Sequence, residues 1–249
     1  MYVGVDVGGT FTDIAINLGD CSDLILYKLS STPEAPEVAI VEGIKAIMKN
    51  HNLNSKDIKR FAHGTTVGTN ALIERRCGKV ALVTSEGFRD LLEIGRQTRP
   101  TVYDMHLDHP KPLVDRESRF EVPQRRLADG SIHVKLDEVE LKNVASQITD
   151  QNVDCVVICF LHSYAFPEDE NRAASLLEKL LPKNVKVLTS SSVFPEFREY
   201  ERFSTAVLNA ALITIVGAYL DRLTDFIADL GIESEIKISQ SSGGLMSVR

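Results

Sequence analysis

Two acids flank a short turn of glycines and threonines near the start of the chain. In order, the polar and glycine residues are Asp6, Gly8, Gly9, Thr10, Thr12 and Asp13. Alternating apolar runs on both sides predict two β-strands joined as a hairpin. Glycine N–H groups can approach a phosphate closely, and threonine hydroxyls add donors. An acid that ends a buried strand needs a partner, so Asp6 is expected to hold Mg²⁺ through water. A plain hairpin is the alternative.

A second polar segment follows a short predicted strand that ends near His63, and a helix then runs through Asn70 to Arg76. Its small polar residues are Thr65, Thr66, Thr69 and Asn70. Free N–H groups at a helix start favour an anion, which predicts a wall of a nucleotide or substrate cleft. The alternative is ordinary N-capping by Thr65 or Thr66. For His63, a catalytic role and a packed core position are both open.

Arg96 and Arg99 lie in a predicted loop. Guanidinium groups suit carboxylates and phosphates, so the two arginines are candidates to hold an acidic or ring-amide substrate. A solvated loop charge, or a salt bridge to Glu93 or Asp104, explains them equally well. The later charge run 198–202 is typical of a solvated helix face with i,i+3 and i,i+4 pairs.

Gly243 and Gly244 follow the last predicted strand, in the segment Gln240–Gly244. A second glycine turn lining the cleft and a plain loop are equally compatible with this pattern. His106 and His109 have tolerable metal-ligand spacing, but a polar loop produces such clusters by chance. We therefore interpret His106 and His109 as ordinary residues of a polar loop.

The cysteines do not predict a disulfide framework in a chain of this size. They are Cys21, Cys77, Cys155 and Cys159. Cys155 and Cys159 lie in a run that reads as a buried strand, where cysteine behaves as a small apolar residue.

The segment from Asp6 to Asp13 resembles the first phosphate loop of the actin, sugar-kinase and heat-shock ATPase superfamily. More narrowly, the chain resembles the N-terminal part of the hydantoinase A/5-oxoprolinase family, which includes acetone and acetophenone carboxylase subunits. Four later segments carry this narrower resemblance: His63–Leu72, Glu86–Gln97, Pro195–Arg202 and Gln240–Met246.

The resemblance implies an ATP- and Mg²⁺-dependent enzyme that opens a cyclic amide such as hydantoin or 5-oxoproline. ATP would phosphorylate the amide oxygen so that water can open the ring; in the carboxylase relatives it would activate bicarbonate or an enol. Asp6, Asp13 and His63 are then the catalytic candidates. Gly8, Gly9, Thr10, Thr12, Gly243 and Gly244 are the phosphate candidates. The alternatives are a non-catalytic half that completes a site with a partner chain and, more weakly, a sugar or acyl kinase.

The element order predicts an α/β fold, with a mixed central sheet begun by the hairpin and flanked by helices. The resemblance implies a ribonuclease H-like, actin-like ATPase half. Helices are predicted at about Pro36–Asn50, opened by Ser31-Thr32-Pro33, and at Asp137–Gln151, Glu168–Leu181 and Glu196–Leu230. We expect a first domain over residues 1–195 with an insertion at about 87–136. Residues 196–249 would form a crossover helix and the start of a truncated second domain.

Ile236–Ser239 would then be an unpaired strand, so we expect the isolated chain to self-associate or to order this tail only with the missing half. A second phosphate loop is not found, so the expected partners are a second half or second subunit and a cyclic-amide small molecule.

The 249-residue chain carries 28 basic and 35 acidic residues, a formal charge of −7. Its charges are interspersed, which argues against nucleic-acid binding. The N-terminus enters a strand without an apolar leader, and no apolar run approaches the length of a bilayer span. We therefore expect a cytoplasmic protein without a membrane partner.

Overall fold

The computed structural model describes residues 1–19, 24–32, 34–104 and 106–248. Its strands are β1 (Tyr2–Val7), β2 (Phe11–Asn17), β3 (Leu24–Ser30), β4 (Arg60–Thr65), β5 (Val80–Ser85), β6 (Arg119–Val122), β7 (Arg125–Arg126), β8 (Ile132–Val134), β9 (Cys155–Cys159), β10 (Lys186–Thr189), β11 (Ile236–Ser239) and β12 (Leu245–Ser247). Its α-helices are α1 (Pro36–Asn50), α2 (Val67–Ile73), α3 (Leu91–Ile94), α4 (Glu138–Asp150), α5 (Glu168–Leu180), α6 (Ser190–Val193) and α7 (Glu199–Asp229). Cys21, and Pro33 of the predicted helix-opening segment, lie outside the described residues.

The chain forms two compact units. Unit 1 consists of Met1–Arg76 and Ile215–Arg249, and unit 2 consists of Cys77–Thr214. This division differs from the expected one, because the residues after the middle of α7 belong with the N-terminus rather than with a second domain. The predicted insertion at about 87–136 lies within unit 2, which has a sheet of its own.

Unit 1 is built on a mixed six-stranded sheet with the order β12-β11-β4-β1-β2-β3. The hairpin β1–β2 is antiparallel, whereas β4 is parallel to both β1 and β11. The expectation of an unpaired strand was wrong, because β11 pairs with β4 on one side and with β12 on the other. Its N–H and C=O groups are thus used within the sheet, which removes the reason given for self-association.

One face of this sheet packs against α1 and the second half of α7. Val3, Val5 and Val7 alternate inward along β1, as a half-buried strand requires. Ile40 and Ile44 of α1 meet them at helical spacing, and neither side chain is exposed. Burying each such side chain contributes about 1.5–3 kcal/mol, so this layer holds the hairpin in place.

Unit 2 contains a parallel four-stranded sheet with the order β10-β9-β5-β6. Its central strands β5 and β9 are buried along their whole length, which explains their largely apolar sequences. Helices α4 and α5 contribute Leu141, Ile148 and Leu177 to the core of this unit. Strands β7 and β8 pair separately. The predicted mixed α/β class is therefore confirmed.

The cysteines of β9 are packed as the sequence predicted. Cys155 and Cys159 are fully buried free thiols. Burial raises the pKa of Cys155 to about 12, so its thiol stays protonated at neutral pH.

Helix α7 corrects the expectation that no segment is long enough to span a bilayer. It has 31 residues and is apolar enough, by length and composition alone, to cross one. A core helix of a globular protein meets the same criteria. Phe203, Ala210 and Leu223 of α7 are buried in the cores of the units to which they belong.

Candidate functional site

The carboxyl ends of β1, β4 and β11 lie at one edge of the unit 1 sheet, because these three strands are parallel. In open α/β sheets, ligands bind beyond this edge. The glycine turn follows β1, the threonine-rich segment follows β4, and the second glycine pair follows β11. Unit 1 therefore brings together three of the segments that the sequence singled out.

The turn between β1 and β2 is closed by a hydrogen bond from Gly8 N to Phe11 O at 3.0 Å. The Gly8 amide is therefore engaged in the turn itself. Gly9 and Thr10 are exposed at its tip, and a β carbon on Gly9 would meet no atom within 4 Å. The tip of the hairpin thus offers backbone donors to a ligand.

Thr12 is placed differently from Thr10. Its side chain is fully buried, and its Oγ1 lies 3.0 Å from Ser31 Oγ, which also donates to Gly8 O at 2.7 Å. This chain of hydroxyls ties the hairpin to the end of β3. A phosphate contact from Thr12 would require the pair with Ser31 to open.

The Asp6 side chain is exposed, so the expectation that it is a buried acid in need of a metal partner was wrong. It lies on the face of the sheet opposite the helices, next to Asp13 across the hairpin and Gly64 on β4. A groove of about 740 Å³ runs along this face, lined in part by Asp6, Gly64 and Ser239. Asp6 is therefore free to reach a ligand in the groove.

Asp13 is already paired within the hairpin region. Both of its carboxylate oxygens accept hydrogen bonds from Lys28 Nζ, at 2.7 and 2.9 Å. Because both groups are more than half exposed, this ion pair contributes little to stability. It does anchor Asp13 to β3, and the predicted catalytic role of Asp13 stays a prediction.

His63 lies in the core. Its Nε2 is 2.6 Å from Tyr219 Oη, while Nδ1 has no hydrogen-bond partner of good geometry among the described residues. Burial lowers the pKa of His63 from 6.5 to about 4, with the Val5 backbone and the Asp6 carboxylate acting in the opposite direction. The imidazole is therefore neutral at pH 7 and links β4 to α7. Its predicted catalytic role stays a prediction.

Of the threonines at the end of β4 and the start of α2, Thr65 bonds an amide of its own segment, and Thr66 and Thr69 are accessible to a ligand. Thr65 Oγ1 accepts from Val67 N at 3.2 Å, so it satisfies a free amide at the start of α2. Thr66 is the N-cap residue but makes no side-chain cap bond, and Asn70 Nδ2 donates to its Oγ1 at 3.3 Å. Thr66, Thr69 and Asn70 retain solvent-accessible surface.

Gly243 and Gly244 form the turn between β11 and β12. Their φ angles are +92° and +88°, a region that favours glycine. A hydrogen bond from Gly243 N to Gln240 O closes the turn at 3.0 Å. The structure thus has a glycine turn at the carboxyl edge of β11, and the role of this turn in lining the cleft stays a prediction.

Arg96 and Arg99 belong to unit 2 rather than to this edge. Arg96 pairs with Glu201 at the start of α7, a partner that sequence reasoning did not consider. Arg99 is exposed. Among the described residues, no three His, Cys, Asp or Glu side chains converge as a metal cage. His106 and His109 are therefore not part of such a group.

Arg202 corrects the interpretation of the charge run as a solvated face. Its guanidinium is fully buried, and it donates to Ser190 Oγ at 3.0 Å, Phe160 O at 2.7 Å and Glu199 Oε1 at 3.1 Å. Glu170 accepts from the same Ser190 hydroxyl at 2.7 Å. Arg202 is thus an internal brace of unit 2.

The family model described as the hydantoinase/oxoprolinase N-terminal region matches residues 2–181. An uncharacterized protein of Methanocaldococcus jannaschii is 38% identical over 250 residues, covering 99% of this chain and 36% of the relative. 5-Oxoprolinase 1 of Arabidopsis thaliana is 31% identical over 271 residues, covering 97% of this chain and 21% of the relative.

The alpha subunit of caprolactamase from Pseudomonas jessenii is 34% identical over 249 residues, covering 98% of this chain and 36% of the relative. The crystal structure of the ATP-dependent caprolactamase from this organism matches with a TM-score of 0.89, over 98% of this chain and 36% of that one. The chain thus spans about a third or less of the length of these relatives.

Proposed function

Because the chain belongs to the hydantoinase/oxoprolinase family through its N-terminal region, we propose that it supplies the first phosphate site of an ATP-dependent enzyme that opens a cyclic amide. The observation that carries the proposal is the shared carboxyl edge of β1, β4 and β11, after which the glycine turn, Thr66 and the second glycine turn follow in the chain. The names of two relatives, 5-oxoprolinase and caprolactamase, support the cyclic-amide class.

The exposed tip of the β1–β2 hairpin suits the phosphates of ATP. Gly9 N–H and the Thr10 hydroxyl are the donors that the turn leaves accessible, and they would lower the cost of charge on the transferred phosphoryl group. Gly8 would shape the turn, since its amide bonds Phe11 O. Thr12 would act from behind by fixing the hairpin to Ser31.

Asp6 fits a magnesium ion that is held mainly by phosphate and water. Its carboxylate is exposed at the edge of the groove, and the absence of a side chain on Gly64 leaves room for it. Mg²⁺ keeps several waters and needs only one or two carboxylates, so the lack of a three-ligand cage in the described residues does not oppose this role. When bound, Mg·ATP would supply the phosphoryl group that activates the amide oxygen.

The second half of the site would come from a further portion of a longer polypeptide or from a partner subunit. The lengths of the relatives support this arrangement. Arg96 and Arg99 would be candidates for substrate binding in unit 2. We also propose a cytoplasmic location, without membrane or nucleic-acid partners. The substrate could be a hydantoin, 5-oxoproline or another lactam.

The second candidate is a chain that has no catalytic role and only completes an ATPase or carboxylase site. Phosphate release from ATP separates the two when it is measured on the chain alone and with a downstream portion of a family member. The substrates tested are hydantoin, 5-oxoproline, and ketone plus bicarbonate. We expect ATP hydrolysis coupled to ring opening only in the combined sample. Turnover that persists after Asp6→Asn would contradict the proposed role of this chain.

A further inference from the structure

A second cleft of unit 1 lies beside the glycine turn and has no role so far. It has a volume of about 430 Å³ and contains residues of α1, α2 and α7 as well as the hairpin tip. The residues important here are Gly8, Gly9, Thr66, Asn70, Tyr219 and Arg222. The cleft thus shares the glycine turn and the threonine segment with the proposed phosphate site.

Arg222 is fixed at this cleft by a buried acid. Glu37, in the first turn of α1, is 2% exposed, and its Oε1 accepts from Arg222 Nε at 2.5 Å. Its Oε2 has no partner among the described residues. An unpaired buried carboxylate is costly, so the guanidinium is held against Glu37.

The guanidinium keeps donors for a ligand. The Arg222 side chain is 50% exposed, and in the described part of the chain its Nη groups have no acceptor. The planar fork of an arginine matches two phosphate oxygens, and such charge-assisted bonds are about twice as strong as neutral ones. An arginine held by its Nε edge and open at its Nη edge is therefore preorganised for an oxyanion.

The other charges of the cleft define which oxyanion fits. Glu74 is paired with Arg76, while Glu34 is exposed at the cleft and adds negative charge. Burial raises the pKa of Tyr219, so its hydroxyl stays protonated, and it is engaged with His63 Nε2 at 2.6 Å rather than free for a ligand. A magnesium-bound polyphosphate suits this mixture better than a free anion, because the metal offsets the nearby carboxylates.

We propose that Arg222, positioned by Glu37, binds a phosphate group of the nucleotide at the glycine turn. The inference rests on the proposed function and names a residue that the glycine-loop pattern does not include. The same fork would also fit the carboxylate of 5-oxoproline, so the experiment has one arm for each source.

The test is an NMR titration of the isotope-labelled chain with magnesium pyrophosphate, following the Gly9 amide and the Arg222 Nε–H. Both signals should shift with one dissociation constant. Arg222→Lys keeps a positive charge for Glu37 but removes the fork, and should weaken binding roughly tenfold. Arg60→Lys is the control, because Arg60 lies at the opposite end of β4, over the Tyr2 ring.

The outcomes separate this inference from the proposed function. If the Gly9 amide shifts and Arg222→Lys binds pyrophosphate as tightly as the parent chain, the role of Arg222 is wrong and the phosphate turn stands. If the Gly9 amide does not shift at saturating pyrophosphate, the phosphate turn and the inference both fail.

A second arm uses 5-oxoproline, and a shift of Arg222 Nε–H with this ligand but not with pyrophosphate would assign the residue to the substrate instead. The double variant Glu37→Gln/Arg222→Gln removes both charges together, so it should fold as the parent chain does and bind pyrophosphate as weakly as Arg222→Lys. Parent-like affinity in this variant would also overturn the proposal.

Discussion

The Asp6 carboxylate occupies space that any side chain on Gly64 would take. The two residues are partners in the parallel register of β1 and β4, and a β carbon on Gly64 would come within 3.0 Å of Asp6 Oδ1. The exposed acid of the phosphate turn therefore depends on a glycine almost sixty residues away. This dependence can be tested without changing the charge of the site.

We expect Gly64→Ala to impair magnesium use without unfolding unit 1. Alanine suits a strand interior better than glycine, so stability should be unchanged or slightly higher. The displaced Asp6 carboxylate should raise the Mg²⁺ concentration needed for half-maximal ATP turnover several-fold. Turnover is measured on the chain combined with a downstream portion. Gly4→Ala is the matched control, since its nearest contact is Ala15 O at 3.9 Å; equal effects of both substitutions would contradict the claim.

The two threonines of the turn should separate binding from stability. Thr10→Val removes an exposed hydroxyl, so it should weaken Mg·ATP binding and leave the unfolding free energy unchanged. Thr12→Val breaks the buried bond to Ser31 Oγ and should cost about 1 kcal/mol of stability. Urea unfolding and calorimetric titration give the two quantities. A loss of stability in Thr10→Val with no loss in Thr12→Val would reverse the assignment.

His63 should make unit 1 less stable in mild acid. The unfolded imidazole takes up a proton below its ordinary pKa of 6.5, whereas the buried one stays neutral down to about 4. The unfolded state therefore binds more protons between these values, and stability falls as the pH falls through this window. The full effect is about 3 kcal/mol. Urea unfolding between pH 7 and pH 4 should show a shallower decline for His63→Gln, and an unchanged decline would rule out His63 as its source.

Arg202 should be a stability determinant of unit 2. Arg202→Met leaves Glu199 and the Phe160 carbonyl without their buried donor, and should cost about 3–5 kcal/mol. Arg198 is exposed in the same charge run, so Arg198→Met should change stability by less than about 0.5 kcal/mol. Thermal unfolding of both variants distinguishes a brace from a solvated face. Similar melting temperatures for the two variants would falsify the brace.

The sequence predicted the positions of helices and strands better than it predicted which strands pair in a sheet. Helix α1 was predicted at about its observed bounds, Pro36–Asn50, because its apolar residues repeat at helical spacing after the segment Ser31-Thr32-Pro33. Strand β11 was also predicted at its observed position, Ile236–Ser239. Its sheet was not, since pairing with β4 joins residues about 175 apart and no local pattern encodes that choice.

The candidate site shows the same limit. The glycines and threonines were found from their types and spacing, because phosphate binding uses backbone donors at turns. The buried hydrogen bond of Thr12 depends on Ser31, and the buried position of Arg202 depends on Ser190. Both serines come from other parts of the chain. Glu37 and Arg222 carried no motif at all. Only the inward direction of a first-turn acid on the apolar helix α1 could have pointed to them.

The position of β11 beside β4 has a consequence for how the protein is made. Unit 2 is one continuous stretch of chain, so it can fold on the ribosome as soon as residue 214 has emerged. Unit 1 must wait, because the strand next to β4 is synthesised about 170 residues after it. During that interval the edge of β4 is exposed, which is when pairing with another chain is possible. Slowing translation once β4 has emerged should therefore increase aggregation of nascent chains, whereas slowing it once β12 has emerged should not.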